Sequence, residues 1–425
     1  MKRVSGVSSC LLCVVLSVVS VQNVYAELTL NSSISVTETY TDNLFFDTKK
    51  NKQDDFGTFV IPRLTLTYLS RDVVLSGTYS GVAQFYVNHS GSDAYTHNAN
   101  FGIDLPFLTK RYKGLEVRIV ESMNFSPAVQ GFSFGGDQSD QDNPLIAAQR
   151  HGEGGFSGNR GIAGLSNAVG NNGVFTRRTR SGSFRNRAGV RVRYHLTPRW
   201  IPNASYMNLY TRYTDSDLND SLSHILGTGV GYLLSSRTRL NANYTARISD
   251  INNGDTVVTH SVTGGVGHTL TPTVYINARA GVSFTESVDR VTFTSNVNVT
   301  KSFDAGVISA RYFQGVTPGG GLATSGVLTQ RGQISGSYPL AERVTGFLAG
   351  GIAKNKSLSG NQVDVKSYQG QAGFSILLLE WLSGNISYSY IKQKSNGSSV
   401  AGRTATVNQG FIGFTARLPA WRIAQ

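Results

Sequence analysis

The chain has 425 residues, enough for one large domain or two to three small ones. Its 47 glycines, 19 tyrosines and 21 phenylalanines, with only 15% charged residues, favour β-structure over helix. The formal charge of +13 comes without any Lys/Arg run, which argues against nucleic acid, and a mean hydropathy of −0.15 leaves no spanning helix beyond the N-terminus.

Residues 1–26 have the pattern of a signal peptide: Lys2 and Arg3 at the start, an apolar run from Cys10 to Val21, and Val24-Tyr25-Ala26 as a cleavage site. Without Lys2 and Arg3 the charge falls to +11. Both cysteines, Cys10 and Cys13, lie in this segment, so a mature chain 27–425 carries no disulfide and no thiolate metal site. Export makes nucleic acid an unsuitable partner.

From Glu27 onward, segments alternating with period two recur at intervals of roughly twenty residues. The first, 27–40, sets Leu28, Leu30, Ile34 and Val36 against Thr29, Asn31, Ser33 and Ser35. A polar loop, 41–56, leads into 57–69, where Val60, Leu64, Leu66 and Tyr68 oppose Arg63, Thr65 and Thr67. After the turn Ser70-Arg71-Asp72, Leu75, Gly77, Tyr79, Gly81, Ala83 and Phe85 share one face. Segments at about 95–107 and 112–126 follow.

A Gly-rich stretch, 127–183, then breaks the rhythm, and its length marks it as either functional or disordered. Behind it comes Phe184–Leu196. One face carries Phe184, Asn186, Ala188, Val190, Val192, Tyr194 and Leu196; the other carries Arg185, Arg187, Arg191, Arg193 and His195. A helix would scatter those arginines, whereas a strand gathers them on one side. Twelve further segments lie near 200–214, 221–233, 237–250, 257–270, 273–286, 290–303, 305–316, 327–340, 343–354, 365–379, 381–394 and 405–418.

The total is about eighteen strands, an even number, as an antiparallel barrel with both ends on one side requires. Short turns such as Leu196-Thr197-Pro198-Arg199, Leu234-Ser235-Ser236-Arg237 and Leu270-Thr271-Pro272-Thr273 alternate with polar connections at 250–256, 316–326, 354–364 and 394–404. That order predicts an all-β transmembrane barrel with short periplasmic turns and longer extracellular loops, in the outer membrane of a Gram-negative bacterium. Trp200, Trp381 and Trp421, with Tyr68, Tyr112, Tyr232, Tyr275 and Tyr338, are expected to form the girdle at the short-turn rim. Strand-end core aromatics of a soluble β-protein are the competing reading, but a sandwich would not give so many strands in this strict order.

The opening of the mature chain, Tyr40-Thr41-Asp42-Asn43-Leu44-Phe45, then Asp54-Asp55-Phe56, then Pro62-Arg63-Leu64, resembles outer-membrane β-barrel (porin-like) proteins associated with exopolysaccharide export or exosortase-type surface systems. The motif covers about twenty-five residues, and the remainder is similar only as alternating strands and Thr-Pro turns. The resemblance implies a barrel, an acidic saccharide as a candidate solute, and periplasmic export components as candidate partners. It implies no catalytic residue.

With apolar faces toward lipid, the opposite faces line a lumen. They carry Arg63, Arg118, Arg185, Arg187, Arg191, Arg193, Arg237, Arg239, Arg247, Arg279, Arg311, Arg331 and Arg417, against Asp104 and Glu116. An arginine turned to lipid at the midplane would cost about 2–4 kcal/mol, so the inward assignment is favoured. Arginine ladders attract anions, and the guanidinium fork suits carboxylates and phosphates. Pairing with acids of the loop 127–183, through Asp137, Asp140, Asp142 and Glu153, is the structural alternative. By analogy with porins, that loop is either an inward constriction or an extracellular decoration; Arg177, Arg178 and Arg180 would extend the positive track.

His89, His97, His151, His224 and His260 show neither a nucleophile motif nor metal spacing, so neither catalysis nor a cofactor is expected. Three functions remain open. They are an anion-preferring pore for small solutes or an acidic saccharide, a closed barrel docking an export machine, and adhesion through the loops. The oligomeric state is not legible.

Overall fold

The computed structural model describes residues 26–126, 182–216, 218–317, 326–360, 363–397 and 403–424. Residues 1–25, nearly all of the expected signal peptide, and residues 127–181, with Asp137, Asp140, Asp142, Glu153, His151, Arg177, Arg178 and Arg180, lie outside the described residues.

The strands are β1 (Ala26–Thr41), β2 (Asp55–Ser70), β3 (Val74–Tyr86), β4 (Ala94–Asp104), β5 (Leu115–Ser126) and β6 (Ser183–Tyr194). There follow β7 (Trp200–Tyr213), β8 (Ser221–Ser235), β9 (Thr238–Ile251), β10 (Val257–Thr271), β11 (Val274–Thr285) and β12 (Arg290–Ser302). The last are β13 (Val307–Thr317), β14 (Val327–Ala341), β15 (Val344–Ser357), β16 (Asp364–Leu379), β17 (Leu382–Ser395), β18 (Arg403–Arg417) and β19 (Trp421–Ala424). Every consecutive pair from β1 to β18 is antiparallel, and β18 returns to β1 through Ser33↔Arg417 to Thr41↔Gln409. The sheet closes on itself, so no edge is left exposed to lipid.

The closing stave is made in two pieces. Pro419 cannot donate to a ladder, and the chain breaks after Leu418 before β19 resumes pairing with β1 through Leu30↔Trp421 to Glu27↔Ala424. β18 and β19 together form one stave, giving an antiparallel barrel of eighteen. Thus Trp421–Ala424 belong to the barrel wall.

The short-turn rim has a repeated construction. At β8–β9, β10–β11, β14–β15 and β16–β17 the ladder skips one residue just before a two-residue turn. The skipped residue is a leucine each time, Leu234, Leu270, Leu340 and Leu378, and all four are exposed. Each leucine shares the outward parity of its strand, with Leu226, Val262, Ile334 and Phe374, and the bulge leaves it unpaired at the end of the ladder. One connection on this rim is longer, since β4 and β5 are joined through helix α1 (Pro106–Arg111) and Gly114. Gly114 has φ +87°, and a Cβ there would lie 2.9 Å from the His195 carbonyl oxygen of the next turn, so only glycine fits.

Outward faces carry the large exposed apolar residues, for example Ile34, Leu64, Phe101, Leu226, Val262, Ile334, Ile386 and Phe414. This band of side chains facing hydrocarbon places the protein in the outer membrane, with long loops outside and short turns in the periplasm. Trp200, Trp381, Trp421 and Tyr338 are exposed at the short-turn rim, and Trp200 packs on Tyr232 with ring centroids 4.7 Å apart. Tyr275 departs from the expected girdle. It sits opposite Thr300 and Thr269 on the inward face of β11 and is only 9% exposed. Its parity, shared with Asn277 and Arg279, decides its side; proximity to a turn does not.

Candidate functional site: the inner wall and its clasp

The register sets Arg63 on β2, Arg118 on β5, and Arg185, Arg187, Arg191 and Arg193 on β6 opposite the outward apolar residues. Arg239 and Arg247 on β9, Arg279 on β11, Arg311 on β13, Arg331 on β14 and Arg417 on β18 share that parity. Arg237 does not belong to the wall. It lies in the two-residue turn between β8 and β9, fully outside the strands, where its carbonyl accepts from Thr269 N at 2.9 Å.

The densest part is the β4–β6 sector. Asp104 faces Arg118, and Arg118 faces Arg191 on the next strand, so one row runs carboxylate, guanidinium, guanidinium. Arg118 Nε stands 3.7 Å from Asp104 Oδ1. Glu116 faces Arg193, but its Oε1 meets His195 Nε2 at 3.0 Å. Arg187 Nε lies 2.8 Å from the Met207 thioether sulfur on β7. Across the barrel, Arg331 lies over the Phe313 ring at 5.7 Å, and Arg247 donates to the Val316 carbonyl at 3.2 Å. Among the described residues the carboxylates on inward strand faces are Glu27, Asp55, Asp104 and Glu116.

Toward the long-loop rim the inward faces become dry. Thr37, Thr39 and Thr41 of β1, Gln84 of β3, and Val365 and Ser367 of β16 are all buried there, whereas Asn31, Ser76 and Asn100 lower down are exposed. Phe59 and Ile61 of β2 pack with Val82 and Tyr86 of β3, and Leu44 of the first loop joins them. This cluster covers the inner face of β2 and β3 at that height.

The first loop reaches this position through residues of the resemblance motif. Asp42 accepts from the Asn408 backbone N–H and side-chain amide, both at 2.7 Å, and pairs with Lys52 Nζ at 2.6 Å. Asn43, 2% exposed, donates to the carbonyls of Asp47 at 2.8 Å and Thr406 at 3.0 Å and accepts from Asp47 N at 2.8 Å. Thr48 bridges to Ala405, and Arg403 lies 3.6 Å from Asp47. Asp55 is wholly buried, taking the Phe56 N–H at 2.8 Å, the Asn88 N–H at 3.0 Å and His89 Nδ1 at 2.7 Å. The bonds of Asp42, Asn43, Asp47 and Thr48 clasp the seam between β1 and β18, while those of Asp55 tie β2 to the segment after β3. Burial works to raise the Asp42 carboxyl, but the Asn408 N–H, the Lys52 ammonium and the Asn408 amide outweigh it and hold it below its ordinary value.

The clasp was not among the candidate site residues, because Asp42 and Asn408 are 366 positions apart. The histidines also resolve as structural partners. His97, His224 and His260 lie on outward strand faces, each bonded through Nδ1 to a tyrosine hydroxyl, Tyr79 and Tyr206 at 2.9 Å and Tyr244 at 2.7 Å. Among the described residues no group of three His, Cys, Asp or Glu could hold a metal.

These features define a large outer-membrane β-barrel. Neither a protein-family model nor a curated protein matches the sequence. Among solved structures the chain is similar to the outer membrane protein OpdK of Pseudomonas aeruginosa, with 9% identity and a TM-score of 0.45 over 92% of this chain and 99% of that one. It is similar to OpdO of the same organism, with 10% identity and a TM-score of 0.44 over 92% and 95%. A ferric enterobactin receptor of P. aeruginosa, PfeA, reaches 7% identity and a TM-score of 0.46 over 92% and 80%. These outer-membrane proteins and the receptor resemble the chain about equally, so the likeness is one of architecture.

Proposed function

We propose that the barrel is a passive outer-membrane pore whose inner wall favours anions, with small organic anions or an acidic saccharide of a surface-polysaccharide system as solutes. The observation that carries this reading is the β5–β6 sector, where Arg118 and Arg191 face each other and Arg185, Arg187 and Arg193 extend the row along one wall. Like charges set directly across a ladder are destabilising. Here they put a positive field on the path of a solute anion. The guanidinium groups stay charged at any physiological pH, so the field on the path does not depend on proton concentration.

Single-channel recording in planar bilayers with a salt gradient tests it. The reversal potential should report anion preference, and Arg185→Gln, Arg187→Gln, Arg191→Gln and Arg193→Gln together should bring the permeability ratio several-fold toward unity while the barrel stays folded. Cation preference of the native barrel would sink the proposal.

A second reading rests on the dry upper lumen around Phe59, Ile61, Val82 and Tyr86. On it the barrel is closed and serves as a docking component of an export machine. Absence of conductance, with periplasmic export components co-purifying, would favour that alternative.

A further inference from the structure

All six lysines on strands, Lys301, Lys354, Lys356, Lys366, Lys392 and Lys394, have outward parity, and five of them fall on three consecutive strands. Lys354 of β15 faces Lys366 of β16, which faces Lys394 of β17, so three ammonium groups lie side by side across the ladder. Lys392 sits one row below, opposite Tyr368, and Lys356 one row above, opposite Asp364. All five lysines are exposed, and none makes a hydrogen bond or ion pair with a described residue. Such a row of like charges works against its own sheet unless an external anion neutralises it. Asp364 is the single carboxylate on this face among the described residues.

Height identifies the anion. Strands of 14 to 16 residues at about 3.3 Å per residue and a tilt near 40° rise about 35 Å, beyond an apolar band of about 25 Å. The lysines occupy the last four positions of these strands on the long-loop side, directly above Tyr368, Tyr388 and Tyr390, which are exposed and placed as an interfacial belt would be. Thr404 and Thr406 of β18 continue the two rows and add hydroxyls beside Lys394 and Lys392. Side chains at this level meet lipid headgroups of the outer leaflet, and ammonium groups on flexible stems reach them by snorkelling.

We propose that the outer face of β15–β17 is a binding site for the phosphate groups of the phosphorylated glycolipid that forms the outer leaflet, with Lys354, Lys366 and Lys394 as the primary contacts and Lys392 and Lys356 flanking them. The site anchors a lipid shell against this one sector of the barrel. It is independent of the pore reading, since no residue of the inner wall takes part.

Native mass spectrometry of the purified full-length barrel, titrated with bis-phosphorylated lipid A in detergent, tests the site. The native barrel should retain lipid A, and Lys354→Gln, Lys366→Gln and Lys394→Gln combined should weaken retention by about a hundredfold, as the loss of three membrane-surface cations implies. Lys49→Gln with Lys50→Gln, on the first loop, should change nothing. In parallel, the unaltered barrel should lose retention when dephosphorylated lipid A or zwitterionic phosphatidylethanolamine replaces the probe, an arm that needs no variant to fold. Retention that survives removal of the lipid phosphates, or that the triple variant keeps in full, overturns the proposal. Conductance should be the same in the triple variant and the native barrel.

Discussion

Two basic surfaces of this barrel differ in residue type as cleanly as in position. Among the described residues the inner wall uses arginine, from Arg63 to Arg417, and carries no strand lysine; the outer rim of β15–β17 uses lysine. Among the described strand arginines only Arg212, opposite Phe184, faces outward. The chemistry of the two side chains explains the division. In the lumen a rigid planar fork can be held by neighbours such as Met207 and Phe313 and present donors at a fixed place. At the membrane surface a flexible stem with a point charge can follow headgroups whose positions fluctuate.

The sharpest way to break the comparison is to put arginine on the wrong face. Val190 lies on the lipid side of β6 between Arg191 and Gly189, opposite Ile119 and Tyr206. Val190→Arg should cost about 2–4 kcal/mol, read as a lowered unfolding midpoint in urea from lipid vesicles. The same residue placed on the inner face, as Thr245→Arg beside Ser261 and Gly227, should cost less than about 1 kcal/mol. Equal costs at the two positions would mean that strand parity does not separate lipid from lumen here.

A smaller effect separates charge from fork geometry. Replacing Arg185, Arg187, Arg191 and Arg193 all by lysine keeps four charges but loses the bidentate donors. The sign of selectivity in a salt gradient should persist, while block of conductance by a dicarboxylate should weaken a few-fold. If both quantities fall as far as with glutamine, point charge alone is not what the wall supplies.

How much of this was legible before the structure follows from what each feature depends on. Period-two alternation is local, so the eighteen staves and the parity of the wall arginines could be read from the chain, with Leu64 beside Arg63 and Val190 beside Arg191 as the signal. Arg237 and Tyr275 were misplaced because both sit beside turns: Arg237 lies in the turn itself, and Tyr275 follows the parity of Asn277 and Arg279 rather than its closeness to the rim. The lysine row had a local signal that was passed over: Lys354-Asn355-Lys356 and Lys392-Gln393-Lys394 are same-face pairs beside long loops. What no local reading gives is that Lys366 stands between them, since that is a matter of register. The clasp was visible as the Asp42-Asn43 motif, yet its partners Asn408, Thr406 and Arg403 come from the far end of the chain.

The clasp supplies the third term of the comparison. Where a cation holds the fold together, a carboxylate meets it: Lys52 on Asp42 at 2.6 Å, Arg403 on Asp47 at 3.6 Å. On the inner wall and in the outer lysine rows, acids are scarce among the described residues. Asp42→Asn removes the charge while keeping the shape, and because the group is partly exposed the loss should be modest, about 1 kcal/mol in thermal unfolding. Acid gives the same test without a mutation. Asp42 has a folded pKa below the ordinary aspartate value of 3.8, so the charged form stabilises the seam above that value and the contribution is lost as pH falls through the lower, folded pKa. Between pH 8 and pH 5 the clasp should therefore be unaffected. Below about pH 3.8 the native barrel should lose thermal stability faster than Asp42→Asn, and the two curves should converge. Curves that stay parallel down to pH 2 would show that the Asp42 carboxylate contributes nothing to closing the seam, leaving Asn43 and the Thr48–Ala405 bridge to hold it alone.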